Sequence, residues 1–205
     1  MLIRFGPPGN VISAMPIWVS LWLILLVVAW WRGASKGYLI FLSLFCLYFG
    51  IMIDLISFPV QINPETVEQR RALGPIIRYN LNPLYFGHQP NAYTWLITVL
   101  NLLITVPFGF ALPWVLPIGR KTMLWIAALT GPVFEGIQLL EVSLGYANRV
   151  IDMQDVILNS LGVLLGYSLL LLGSSVYLWL VRKGFWQGKT DFYQSVRLVT
   201  HRSLG

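Results

Sequence analysis

The chain has 205 residues, of which 57% are hydrophobic, 14% aromatic and only 11% charged. Soluble domains carry about 25% charged residues, so a globule of this size lacks the polar groups to cover its own surface, and the same apolar content excludes disorder. The single cysteine, Cys46, excludes a disulfide framework and a cysteine-rich metal site, and a net charge of +6 at a mean hydropathy of +0.70 reads as basic loops beside anionic lipid rather than a nucleic-acid surface.

A spanning helix needs roughly 20 mostly apolar residues. Five stretches qualify: Val11–Trp31, Tyr38–Phe58, Ala92–Ile118, Thr122–Leu144 and Met153–Val181. They predict an all-α integral membrane protein, residues 1–205 forming one polytopic domain. The first stretch is too long for a signal peptide, and Ala29-Trp30-Trp31 is a poor cleavage site, so it reads as an uncleaved helix. Asp54, near the end of the second, is expected to snorkel into the interface. The loop Pro59–Asn91 is long. Its Glu65–Leu73 part predicts a short surface helix started by Pro64, and His88 reads as a solvated loop residue. Pro107, Pro113 and Pro117 are expected to break the third span in its second half. Beyond the fifth, Phe185–Val199 mixes Phe185, Trp186, Phe192 and Tyr193 with Lys189 and Arg197. That mixture reads either as a helix on the inner membrane face or as a frayed tail with interfacial aromatics.

Basic residues set the orientation. With the N-terminus outside, the inner side holds Arg32, Lys36, Arg120, Lys121, Arg182, Lys183, Lys189, Arg197 and Arg202. The outer side holds Arg4, Arg70, Arg71, Arg78 and Arg149. The positive-inside rule therefore predicts N-outside and C-inside, with Pro59–Asn91 as a long outer loop between helices two and three.

Polar residues inside the spans are costly and face the bundle interior, so their positions are informative. The third span carries Thr94, Thr98, Asn101 and Thr105; the fourth Gly131, Glu135, Gln138 and Val142; the fifth Asp152, Asp155, Asn159, Gly162 and Gly166. Spacings of three and four put each set on one helix face. At a rise of about 1.5 Å per residue, Asn101 and Glu135 lie about 13 Å from the outer helix ends and Asn159 about 9 Å. The expectation is an outward-open polar pocket in the outer half of the bilayer, among helices three, four and five.

Glu135 has the strongest claim to function. It is too deep for a cap, and a carboxylate there needs a partner or a task. It reads as a protonated donor, as a general acid or base, or as half of an ion pair with Arg149 or Arg78. Asp152 reads first as the N-cap of the fifth helix, while Asp155 also heads the polar stripe. Arg149 is expected to pair with Asp152 or Glu141. Gln138 and Asn101 read equally as site residues or as bonds between helices. Gly162 and Gly166 read as a close-packing signal. No Ser-His-Asp spacing, HExxH, P-loop or GxGxxG is present, and no metal, cofactor or nucleic acid is expected.

The ordered pieces resemble the VanZ-like membrane family. They are Asn80-Leu-Asn-Pro83, Asn101-Leu-Leu-Ile-Thr-Val-Pro-Phe-Gly109, Glu135-x-x-Gln138 and Arg149-x-x-Asp152-x-x-Asp155-Val-Ile-Leu-Asn159-Ser-Leu-Gly162-x-x-x-Gly166, within residues 76–172. Ser160 stands where the family often has Thr. The resemblance implies a multi-pass protein of the bacterial plasma membrane and a link to teicoplanin and lipoglycopeptide resistance. It implies motif positions at Asn101, Glu135, Gln138, Arg149, Asp152, Asp155 and Asn159, and no agreed chemistry. Three functions stay open. One is binding of a membrane lipid or lipid-linked cell-wall precursor, or restricting access of a lipoglycopeptide antibiotic. The second is intramembrane catalysis with Glu135 and Asp155 as acid and base. The third is a structural role in a cell-envelope complex.

Overall fold

The computed structural model describes residues 11–57, 60–74, 77–83, 91–185 and 190–204. Eight helices run through them: α1 (Met15–Trp31), α2 (Lys36–Ser57), α3 (Pro64–Ala72), α4 (Ala92–Leu103), α5 (Val106–Val115), α6 (Arg120–Ser143), α7 (Met153–Arg182) and α8 (Thr190–Leu204). Four short strands accompany them: β1 (Val11–Ile12), β2 (Val60–Gln61), β3 (Arg78–Asn80) and β4 (Val150–Asp152). Four helical stretches are long and apolar enough to cross a membrane: α2, Thr94–Val115 across α4 and α5, α6 and α7. At most 33% of the apolar window of any of them is buried, which leaves most of their apolar surface for lipid. His88, Trp186 and Lys189 lie outside the described residues.

The first expected span is shorter than its hydropathy implied. α1 has 17 residues, or about 26 Å of helix, against a hydrocarbon core of about 30 Å. Its start is set by hydrogen bonds. Asp54 Oδ1 accepts from Ser13 Oγ at 2.7 Å and from the Ala14 N–H at 2.9 Å, while Pro16 occupies the first turn. Asp54 therefore ties down the beginning of α1 and does not snorkel as expected.

The chain divides into two compact units. The first comprises Met1–Tyr85 and Pro132–Val156. Here α1 packs on α2, with the Trp18 ring 5.0 Å from Phe49 and its indole N–H donating to the Cys46 carbonyl. β1 and β2 pair antiparallel, and β3 pairs parallel with β4 in the register Arg78↔Val150, Asn80↔Asp152. The helix expected over Glu65–Leu73 runs Pro64–Ala72. Pro64 lies in its first turn, and Asn63 accepts from the Thr66 N–H. α3 then closes the end of α6. Arg71 Nε donates to the Leu144 carbonyl at 3.0 Å, and Arg70 to the Gly145 carbonyl at 3.3 Å. Cations at a helix C-terminus also oppose its negative dipole end. Gly145 ends α6 at φ 79°, with the Val67 carbonyl 3.3 Å from where a β-carbon would stand, so both conformation and space call for glycine.

The second unit comprises Phe86–Gly131 and Ile157–Gly205. Its third span breaks at Ile104–Thr105, earlier than the second half. Pro107 explains this: it lacks an N–H, and its ring would meet the Leu103 carbonyl if the helix ran on. α5 tolerates Pro113 and stops before Leu116, whose extended backbone (φ −117°, ψ 137°) suits a residue preceding proline. α7 meets α4 and α5 through glycines. A β-carbon at Gly162 would lie 2.2 Å from the Leu102 carbonyl oxygen, and one at Gly166 1.9 Å from that of Val106. On the α5 side, a β-carbon at Gly109 would lie 2.0 Å from the Val163 carbonyl oxygen. The fully buried Thr105 donates to the Asn159 carbonyl at 2.9 Å across the same contact. α8 buries Val196, Val199, Thr200 and Ser203, and Tyr167 donates to the Ser203 carbonyl at 2.8 Å, so the segment after α7 is a docked helix rather than a frayed tail.

Backbone contact at Gly166 makes a sharp prediction. Gly166→Ala should destabilise by about 1–3 kcal/mol through overpacking. Gly173→Ala, on the same helix with nothing within 4 Å, should leave stability unchanged or raise it slightly. Thermal unfolding of the two variants in detergent checks this, and equal melting temperatures would contradict the close approach.

Candidate functional site

The polar residues of the first unit meet where α6 turns back into α7. Spacing on α6 puts Glu135 and Gln138 on one face, both buried. The loop that follows carries Arg149, and β4 delivers Asp152 to the first turn of α7. Parallel pairing of β3 with β4 sets Asn80 opposite Asp152.

Asp152 is the joint of this cluster. Its Oδ1 accepts from the Gln154 N–H at 2.8 Å, which is the capping role expected of it. Asn80 Nδ2 lies 3.0 Å from both carboxylate oxygens, and Asn80 Oδ1 accepts from the Asn82 N–H at 3.2 Å. The Asp152 N–H donates to Glu135 Oε2 at 3.0 Å. One residue therefore links β3, β4, α6 and α7 by side chain and main chain.

Glu135 is held at one oxygen only. It is 3% exposed, and its Oε1 is buried with no hydrogen-bond partner among the described residues. The ion pair expected with Arg149 or Arg78 is replaced by the Asp152 amide. Arg78 donates to Asn148 at 2.8 Å. Arg149 donates to the Ile56 carbonyl at the end of α2, not to Asp152 or Glu141, although its charge acts on both Glu135 and Glu141. A carbonyl near a helix C-terminus has no intrahelical partner, so a guanidinium there satisfies it. Gln138 donates to the same Ile56 carbonyl at 3.3 Å and joins α6 to α2. Glu141 is buried, and its Oε2 is also unpartnered among the described residues. Two buried carboxylate oxygens, Glu135 Oε1 and Glu141 Oε2, thus lack a donor among the described residues, an arrangement suited to a ligand that brings hydrogen-bond donors. Among the described residues no group of three or more His, Cys, Asp or Glu is placed to hold a metal ion.

Beside α3, a cleft of about 700 Å³ is lined by Val67, Glu68, Arg71 and Tyr146, among others. The Arg71 guanidinium stands 5.5 Å from the Tyr146 ring centre, so the contact that closes α6 also forms a wall of this cleft. Asn101 and Asn159 belong to the second unit. Asn101 is half-buried on α4. Asn159 is 3% exposed, gives its carbonyl to Thr105, and leaves its side-chain Oδ1 unpartnered among the described residues. Ser160, in the same unit, accepts from the Gly131 N–H at 3.3 Å.

A family model described as VanZ/LLP1 matches residues 41–174. The chain belongs to the VanZ-like family. No curated protein and no solved structure matches it. With its apolar helices, this VanZ-like chain is a multi-pass membrane protein. The match takes in most of α2, ahead of the 76–172 stretch that carries the motifs, and α2 supplies the Ile56 carbonyl to which Gln138 and Arg149 bond.

Sequence reasoning missed two contributors. Asn80 stands in a motif piece, but only the parallel strand pairing, which hydropathy does not signal, makes it the partner of Asp152. The Ile56 carbonyl has no side-chain signature. If Asn80 holds Asp152, Asn80→Ala should cost about 1–2 kcal/mol of stability. Asn80→Asp should cost more, because it sets two carboxylates face to face. Chemical denaturation of both variants in micelles measures the difference, and equal losses would rule out the contact.

Proposed function

We propose that the Glu135 cluster binds a hydrogen-bond-donating headgroup, that of a membrane lipid or a lipid-linked cell-wall precursor. In doing so it would link this chain to teicoplanin and lipoglycopeptide tolerance. The observation that carries the reading is the buried, unpartnered Oε1 of Glu135 beside an Oε2 already fixed by the Asp152 amide. A buried acceptor without a donor is costly, and a ligand hydroxyl or ammonium removes that cost on binding. Asp155 adds negative charge for such a donor. The proposed orientation is N-outside and C-inside, in the bacterial plasma membrane, which puts Glu135 in the outer half of the bilayer.

A second reading has one observation in its favour. Asp155 lies in the first turn of α7, three residues from the amide that Glu135 holds, and two neighbouring carboxylates form an acid–base pair when their environments push their pKa values apart. In that case the protein transforms the headgroup it binds, and a mass change in lipid or precursor accompanies expression.

Glu135→Gln and Asp155→Asn, at normal expression, should each lower teicoplanin tolerance of the host toward that of cells without the protein. Unchanged tolerance in both variants would contradict the binding reading. A lipid mass change lost in Glu135→Ala selects the catalytic one.

A further inference from the structure

α7 and α8 form a cationic pocket, within the second unit, that the Glu135 reading does not use. Leu178 and Arg182 lie one turn apart at the end of α7. Tyr193, Arg197, Thr200 and His201 lie on one face of α8, spaced four, three and one. Together these six side chains line a space of about 430 Å³. A water occupies about 30 Å³ of the liquid, so the space takes a headgroup rather than a single solvent molecule. Among the described residues no lining side chain is acidic.

The cations there are not consumed by the fold. Arg182 donates through Nε to the Leu178 carbonyl at 3.3 Å, and its Nη groups have no partner among the described residues. Arg197 and His201 are exposed, with no hydrogen bond or ion pair to any described residue. Thr200 is buried and donates to the Val196 carbonyl, which fixes that wall of the pocket. Two guanidinium forks, an imidazole and a phenol lining one space make a donor set that recognises a phosphate oxyanion.

The surroundings say where the phosphate comes from. Arg182 is the last residue of a 30-residue apolar helix, where such a helix leaves the hydrocarbon. Trp179, Phe185 and Phe192 are exposed, at 51%, 74% and 53%, and aromatic rings at a helix end settle at headgroup level. α8 turns its apolar stripe onto the second unit and leaves Arg197, Leu198, His201 and Arg202 outward. We propose that the α7–α8 pocket is a binding site for the phosphate of an anionic membrane phospholipid, gripped by Arg182 and Arg197 with Tyr193 and His201 completing the cradle.

The test is native mass spectrometry of the detergent-solubilised full chain titrated with phosphatidylglycerol. Phosphatidylcholine serves as the zwitterionic control and inorganic phosphate as competitor. Phosphatidylglycerol adducts should dominate, and the double variant Arg182→Gln, Arg197→Gln should weaken them about thirtyfold. The double variant Arg197→Gln, His201→Gln removes only exposed, unbonded groups and should weaken them as well. Arg32→Gln with Lys36→Gln removes the same charge elsewhere and should leave them little changed. Tighter binding of inorganic phosphate than of phosphatidylglycerol assigns the site to a soluble phosphate and overturns the lipid assignment. Equal uptake of the two lipids, or equal loss in the Arg32 and Lys36 variant, overturns the proposal.

Discussion

Where a membrane helix ends and the next begins, the main-chain groups that the helices leave unpaired need partners. The turn from α6 into α7 is the place where this constraint bears hardest, and charged side chains meet it. Arg70 and Arg71 reach from α3 to the carbonyls that α6 leaves open. Glu135 reaches from within α6 to the amide of Asp152, and Asp152 in turn caps α7 and receives Asn80. Each of these contacts supplies a partner to a polar group at or near the turn between the two helices. The cluster has a structural reason to exist before any ligand is considered. What that reason leaves over, among the described residues, is two carboxylate oxygens, Glu135 Oε1 and Glu141 Oε2.

That remainder separates structure from function. If Glu135 served only to hold the β4 amide, a neutral glutamine would do the same work and satisfy both ends through its amide. The proposed ligand rests on this second, buried oxygen, which lacks a donor among the described residues. The family assignment supports looking for that donor at a membrane, since the VanZ/LLP1 match spans residues 41–174 and so includes every contributor from Ile56 to Asp155. The cationic pocket between α7 and α8 answers a different chemical need, with unpaired donors in place of unpaired acceptors.

Much of this was legible in the sequence, because hydrocarbon makes composition informative. Apolar runs located α2, α6 and α7 to within a few residues, and the three-and-four spacing singled out Glu135, Gln138, Asp155 and Asn159 from a chain with few polar interior residues. Pro64 announced α3. The misses share a cause. Asp54 capping α1, Asn80 opposite Asp152 and Arg149 on the Ile56 carbonyl all join segments between about 40 and 90 positions apart in sequence. Spacing along a helix constrains neighbours within two turns and nothing farther. The length of α1 was misjudged for a related reason: hydropathy registers greasiness, whereas the helix start is fixed by Asp54 and Ser13. The break of the third span was expected from its prolines, and its position followed from which carbonyl Pro107 obstructs.

The most direct test of the central contact is hydrogen exchange at the Asp152 amide, read by nuclear magnetic resonance of labelled protein in micelles. With Glu135 Oε2 as acceptor, the Asp152 amide should exchange slowly in the native chain. In Glu135→Ala it should exchange at least about tenfold faster, consistent with loss of roughly 1.4 kcal/mol of local protection, while amides in the middle of α2 are unaffected. Fast exchange at Asp152 in the native chain, or protection that survives removal of the Glu135 carboxylate, would contradict the contact on which the site is built.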